Sequence, residues 1–522
     1  MTGSARNKII TTGCAGALSL ALVASSLAIT SSRASGAGTA LLPKFTGSSE
    51  TIATYHYGSS RSGDDRQDPS LAGAVLAWHT PGSTIHGDVY AEPLLDKGLV
   101  VVATEDDMVY ALNASTGTVH WKASVGAPVQ PSVLEKAPTL NSQCGDIFPL
   151  GITSTPVIQE STGTIFVAAE VQRSGSTAWQ GIEHELFAIS ISSGKVLWHR
   201  QIDPPGAGDG SRGTYVIPAL QQRSALTLVG SSVYVEYGGL SGDCGAYHGF
   251  VVSLPSSGRG VLVTYRTPSS REDAIWATSG AVTDGAGNLF VATGNGANGP
   301  GQPFDFGDAV VKLSPALKVL SYFAPTTWAQ LSAADLDIGS GGPIILPDGK
   351  TLFEIGKPGY ASKGSSTLTS LGWLLSTNLG GIGHSEYRGT VCPNKGWVFG
   401  ADAIATESVN GVRSTLVYVP CSNGTVALLV RTGAHPSFSR LFAATDTANG
   451  PPIVAGGLVW AISTGADQAT GPADHLYALN PVTGAVVQDH ALASVDPFVT
   501  PTAADGEVIV GTTEGVEAFR PR

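Results

Sequence analysis

The sequence predicts an all-β protein, a single eight-bladed β-propeller of four-stranded antiparallel blades closed by pairing strands from the two ends of the chain. Three observations predict it. The phrase "YALNASTGTVHW" at 110–121 returns as "LFAISISSGKVLW" at 186–198 and as "LYALNPVTGAVV" at 476–487. Eight short β-branched or aromatic runs end in small or polar residues at a loose period. No segment carries a helical hydrophobic period of useful length.

The eight runs are "VVVATE" (100–105), "IFVAAE" (165–170), "VYVEYG" (233–238), "LFVATG" (289–294), "LFEIGK" (352–357), "VYVPCS" (417–422), "VWAIST" (459–464) and "VIVGTT" (508–513). Their second residues, from Val101 to Ile509, recur at intervals of 42 to 68 positions. A strand precedes most of them, and another strand with a "TG" or "SG" turn follows, so each unit reads as one blade. A stack of β-sandwiches would not need the same phrase eight times. In "LNASTGTVHW" Gly117 suits a turn of positive φ, and Trp121 offers a ring to wedge between sheets. The final run lacks an outer strand, and the stretch from about 52 to 80 is expected to supply it, leaving no open sheet edge.

The chain ends and composition set the compartment. Residues 1–40 hold no acidic residue, place Arg6 and Lys8 before the apolar "ALSLALVASSLAI", and end in "SSRASGAGTA". They read as a secretory signal peptide and short linker, and 41–522 as one propeller domain, with no membrane span left after cleavage. Loss of Arg6, Lys8 and Arg33 makes the formal charge three units more negative than −12. That balance disfavours nucleic acid as a partner. The 66 glycines and 31 prolines mark turns, while 42% hydrophobic content argues for a packed core. Four cysteines remain beyond the leader, an even set that suits disulfides in an exported protein. Cys144 with Cys244, in the similar loops "QCGDI" and "GDCGAY", and Cys392 with Cys421, close in sequence, are the favoured pairs. No Cys-x-x-Cys spacing exists, so covalently bound haem is not expected. "GNGANG" at 294–299 is followed by Pro300 and not by a helix, which removes a dinucleotide fingerprint.

Equivalent blade corners point to one end of a propeller axis. Glu105, Glu170, Asn295 and Lys357 stand three to five residues beyond the aligned positions, and on this ground they are expected to converge. Solvated polar corners would give the same pattern.

The blade ending "YALNASTGTVHW", with "IWATSG", "NLFVATGNG", "AADLDIGSGGP" and "FEIGKPG", resembles the pyrroloquinoline quinone family of propellers, the quinoprotein alcohol dehydrogenases and their non-enzymatic relatives. The resemblance implies a quinone stacked on Trp276 and a calcium ion held by Glu170, Asn295 and Asp337. It implies Asp337 as catalytic base, with Asp335 beside it, Lys357 on the quinone oxygens, and Thr153 as a further hydrogen-bonding group. These residue types suit that chemistry, since calcium prefers hard oxygens and a positioned carboxylate can take an alcohol proton. Each has a structural alternative: Trp276 in blade packing, Asn295 capping a tight loop, the two aspartates bonded to the "GSGG" turn, Lys357 solvated. Two departures stand out. The chain has no Cys-Cys pair to roof a quinone, and no clear match to the family's additional cofactor-binding arginine. Two functions remain in view. One is a secreted calcium- and quinone-dependent dehydrogenase for an alcohol or hydroxylated polymer; the other is a non-catalytic scaffold that binds a protein or glycan partner.

Overall fold

In the computed structural model, residues 50–522 are described, except 66, 212, 445–446 and 466–471. The expected signal segment, residues 1–40, lies outside the described residues. Eight antiparallel sheets succeed one another along the chain and form an eight-bladed propeller. Blade 1 contains strands Leu94–Asp96, Leu99–Thr104, Met108–Asn113 and Val119–Ser124, and blades 2 to 7 follow in the same up-and-down order. All eight aligned runs lie on second strands, which are buried along nearly their whole length because both faces pack on neighbouring blades.

Blade 8 is shared by the two ends of the chain. Thr502–Ala504, Glu507–Thr512 and Gly515–Pro521 are its first three strands, and Ala74–Pro81 pairs antiparallel with Gly515–Pro521 as the fourth. The expected closure therefore uses only 74–81. Residues 51–65 take another course and line the hub.

The recurring phrase has a packing reason. Trp121 of blade 1 lies against Gly194 of blade 2, where an added Cβ would sit 2.5 Å from Trp121 Cε3. The same joint unites Trp78 with Gly117, Trp198 with Gly258, and Phe442 with Gly484. In each case an aromatic ring on the outer strand of one blade covers the turn between the last two strands of the next. Trp78 Nε1 and Trp121 Nε1 also donate to Ala114 O and Ile191 O, each at 2.7 Å. The glycine is needed twice over, for positive φ (69° at Gly194) and for the space the ring fills.

The hub is closed by the segment at 51–65. Thr51 and Ile52 pair with Asp96 and Leu95 of blade 1, and Ala53 O accepts from Ile158 N–H of blade 2 at 2.8 Å. Ser59, Ser60, Ser62 and Gly63 carbonyls then accept from Thr283, Ile345, Ile404 and Val454, on the innermost strands of blades 4, 5, 6 and 7. Tyr57 Oη accepts from Ala503 N–H of blade 8 at 2.8 Å. Arg61, fully buried, donates to Leu226 O at 3.2 Å and Thr227 Oγ1 at 2.9 Å in blade 3. Every blade is thus bonded to one segment. Burial lowers the Arg61 guanidinium to about 10, still cationic at neutral pH, against the nearby carboxyls of Glu236 and Glu92.

Two outcomes follow from this packing. Gly194→Ala is expected to lower stability by about 2 kcal/mol, since both the turn and the Trp121 ring must move, as read by thermal or urea unfolding. Arg61→Met is expected to cost about 3 kcal/mol in the same assay, because it leaves buried polar partners uncompensated.

Candidate functional site

Connections from the second to the third strand of a blade, and from the fourth strand to the next blade, emerge at the same end of the ring. These connections surround a cavity of about 510 Å³. Trp276 comes from the connection before blade 4, Asn295 from the corner after the second strand of blade 4, Asp335 and Asp337 from the connection before blade 5, and Lys357 from the corner after the second strand of blade 5. The structure therefore brings together Trp276, Asn295, Asp337 and Lys357 of the site residues singled out in the sequence, with Asp335 beside them.

Asp337 is the centre of this group. Its Oδ1 accepts the Asn295 backbone N–H at 2.8 Å, and its Oδ2 lies 3.1 Å from Lys357 Nζ. Lys357 Nζ also reaches Asp335 Oδ1 at 2.6 Å and stands 5.9 Å from the centre of the Trp276 ring. Gly294 makes this closeness affordable in space: a Cβ there would meet Asp337 Cγ and Trp276 Nε1, each at 3.2 Å. Asp308, behind the site, accepts from Ile338 N–H at 3.1 Å and Ser332 Oγ at 2.8 Å, which fixes the loop that carries Asp337. Burial holds the Asp337 carboxyl above its ordinary range, with Lys357 opposing. Burial pulls the Lys357 ammonium down, but Asp337 and Asp335 outweigh it and keep it firmly protonated.

Glu170 and Thr153 lie elsewhere. Glu170 falls inside the unbroken strand Thr164–Gln172, not at its corner, and is not among the residues lining the cavity. Its Oε2 faces His184 Nε2 at 3.6 Å, and Asp203 Oδ1 holds the other ring nitrogen at 2.8 Å. Thr153 lines a smaller space that shares Arg223 and Phe498 with the main cavity and is bounded by Tyr55 of the hub segment. Glu105 is likewise turned inward, its Oε2 accepting Gly151 N–H at 2.8 Å.

Asp243 and Arg223 also line the cavity and were not singled out in the sequence. Asp243, in the corner loop of blade 3, accepts from Asn295 Nδ2 through Oδ2 at 3.4 Å and provides the third carboxylate beside Asp335 and Asp337. It immediately precedes Cys244, whose disulfide to Cys144 ties the loop to the stretch that carries Asp146. Arg223, from the connection before blade 3, lies over the Phe498 ring at 3.9 Å. Its Nε is buried without a hydrogen-bond partner. Both expected disulfides are present; Cys392–Cys421 is the second.

The cavity wall is aromatic, with the rings of Trp276, Trp397 and Phe498 each in contact with that of Phe399. A flat ligand suits such walls, and anionic oxygens suit Lys357 and the unsatisfied Arg223 donor. Asp243, Asn295 and Asp337 are neighbours at the cavity, and carboxylate and amide oxygens are the ligand types a calcium-class ion accepts.

A family model described as outer membrane protein assembly factor BamB matches residues 72–296. The BamB proteins of Yersinia pestis and Burkholderia pseudomallei are 23% identical over 146 residues and 29% identical over 144, covering 24% and 23% of this chain. The match spans 36% of the length of each. Among solved structures, quinohaemoprotein alcohol dehydrogenases from Pseudomonas putida and Comamonas testosteroni superpose with TM-scores of 0.61 and 0.59 at 13% and 14% identity, over 90% of this chain and 80% of theirs. A europium-containing methanol dehydrogenase superposes at 0.57 with 14% identity, over 90% of this chain and 97% of its own. The resemblance read from the repeats holds for the fold: the chain is a quinoprotein-like β-propeller.

The Glu170–His184–Asp203 cluster gives a pH signature. Burial lowers the imidazole, but Asp203 and Glu170 outweigh it and raise His184 to about 10. With the folded value above the unfolded one, its stabilisation is complete below about pH 6.5 and fades as pH rises through about 10. His184→Gln is expected to cost about 3 kcal/mol at pH 6 and much less above pH 10, measured by urea unfolding of both proteins at the two pH values.

Proposed function

We propose that this chain is an extracytoplasmic, quinoprotein-like dehydrogenase whose cavity holds pyrroloquinoline quinone and a calcium-class cation and oxidises an alcohol or hydroxylated polymer. The observation that carries the reading is the convergence of Trp276, Asn295, Asp337 and Lys357 on one aromatic-walled cavity. When bound, the quinone would accept hydride and the cation would polarise its carbonyl. Trp276 would supply a flat floor for the quinone, and Arg223 and Lys357 would offer cationic partners to its anionic oxygens. Asp243, Asn295 and Asp337 are the oxygen donors offered to the cation, with Asp243 taking the place the resemblance assigned to Glu170.

Asp337 Oδ2 takes the proton of the substrate hydroxyl. Burial raises its basicity, while the Asn295 N–H and the Lys357 ammonium hold the carboxyl group in place and Lys357 opposes the rise. Trp397, Phe399 and Phe498 exclude water around that proton transfer. The rim carries the Cys144–Cys244 bridge between distant loops where the enzyme family roofs the quinone with adjacent cysteines. Two disulfides fit an oxidising compartment, and among the described residues no helix is long and apolar enough to cross a membrane. On this reading residues 1–40 are removed on export and 41–522 act as one propeller.

The match of blades 1 to 3 and part of blade 4 to the BamB model favours a second reading, a non-catalytic propeller that binds a protein or glycan partner.

Titration of the purified chain with pyrroloquinoline quinone in calcium, followed by tryptophan fluorescence, separates the two. Saturable quenching is expected, weakened at least about tenfold by Trp276→Ala. Asp337→Asn is expected to keep quinone binding and lose about 10²- to 10⁴-fold of dye-linked alcohol oxidation. Absence of quenching at excess quinone would leave the scaffold reading.

A further inference from the structure

The segment that circles the hub begins at Glu50 and ends its course beside its own start, at Asp65 and Asp68. One carboxylate oxygen from each of Glu50, Asp65 and Asp68 lies within 4.8 Å of the other two. Asp65 belongs to the short strand that pairs in parallel with Val454–Ala455 of blade 7. Asp68 Oδ1 accepts Gly506 N–H at 2.5 Å, and Glu50 Oε2 accepts Asp505 N–H at 3.4 Å, so the group faces the first hairpin turn of blade 8.

A cluster of acids on a surface is commonplace, but this one is largely enclosed. Asp65 and Asp68 are only 7% and 8% exposed, and Asp65 Oδ2 and Asp68 Oδ2 have no hydrogen-bond partner. A buried carboxylate oxygen left without a donor is costly, and a bound cation would relieve that cost. Carboxylate oxygens within 4.8 Å of one another can bond a single ion of the calcium class, a hard cation that takes such ligands at about 2.3–2.6 Å.

We propose that Glu50, Asp65 and Asp68 bind one divalent cation of the calcium class, which clasps the two ends of the hub segment to each other and to the turn at Asp505–Gly506. Three carboxylates and water complete its coordination. The site is structural and does not depend on the quinone reading. Its energetic effect is on closure of the ring, because the same segment bonds every blade.

The test uses the full chain, stripped with chelator and desalted, in an Asp337→Asn background so that the cavity contributes less to cation binding. Calcium is added alone, followed by titration calorimetry and thermal unfolding. The expected result is one binding event and a rise in Tm of about 3 °C at saturation. Adding Asp68→Asn or Asp65→Asn is expected to abolish both, while the calcium-free variants unfold at the same temperature as their parent or higher, since a negative charge has been removed. Glu50→Gln, at the more open side, carries the same expectation should either aspartate variant fail to fold. The proposal is overturned if the Asp337→Asn protein neither binds calcium nor is stabilised by it. It is also overturned if the added substitutions leave the calcium response unchanged.

Discussion

A propeller has eight innermost strands, and each presents to the axis an edge whose backbone groups must be satisfied. An unmet buried N–H costs about 1–3 kcal/mol, so a ring of them would remove a large part of a typical domain's stability. Residues 51–65 meet this demand with backbone carbonyls, tyrosine hydroxyls and the Arg61 guanidinium. Much of the remaining architecture depends on that solution. It makes the hub solid at one level, leaves the corner loops to enclose the cavity, and sets Tyr55 beneath Arg223 and Phe498.

The repeats were legible because the joint that produces them is local and stereochemically strict. A glycine at positive φ under an aromatic ring tolerates few substitutes, so blades 1, 2, 3 and 7 keep the phrase. Where the turn is built otherwise, as at Leu317 with φ of 57°, the phrase fades, and only the second strand still marks the blade. The hub segment was illegible for the opposite reason. Its bonds to the blades are made largely by main-chain carbonyls, which any sequence possesses, and "YGSSRSGDD" reads as loop.

The site divides along the same line. Asn295 and Lys357 could be read because each stands at a corner a short offset from a recognisable strand, and Trp276 and Asp337 because "IWATSG" and "AADLDIGSGGP" resemble family segments. Glu170 could not be placed from offset alone. Its strand runs two residues past it, to Gln172, and turns the carboxylate into the blade toward His184. Strand length depends on whether the following loop bonds back, here through Gln172 N–H to Ala127 O, and that is a tertiary fact. Asp243 and Arg223 sit in connections with no periodic pattern. The only sequence signal near Asp243 was the cysteine after it.

That cysteine matters for how the cavity stays open. The corner loop of blade 3 is long and polar, and a carboxylate on a mobile loop would lose much of its value as a fixed donor, because ordering it costs conformational entropy on each binding event. The Cys144–Cys244 bridge, with Gly145 N–H donating to Ser241 O at 3.0 Å, spends that entropy at folding. Asp243 then meets Asn295 in a rim already ordered, as Asp337 meets Lys357 through a loop ordered by Asp308. One disulfide and one buried aspartate thus do corresponding work on two sides of the cavity, and both hold acidic groups close together that mutual repulsion would otherwise separate. The arrangement stores unfavourable charge at a place where a cation or an anionic ring with its counter-ion would relieve it. Such an environment is preorganised for charge and would need little rearrangement to take a charged ligand.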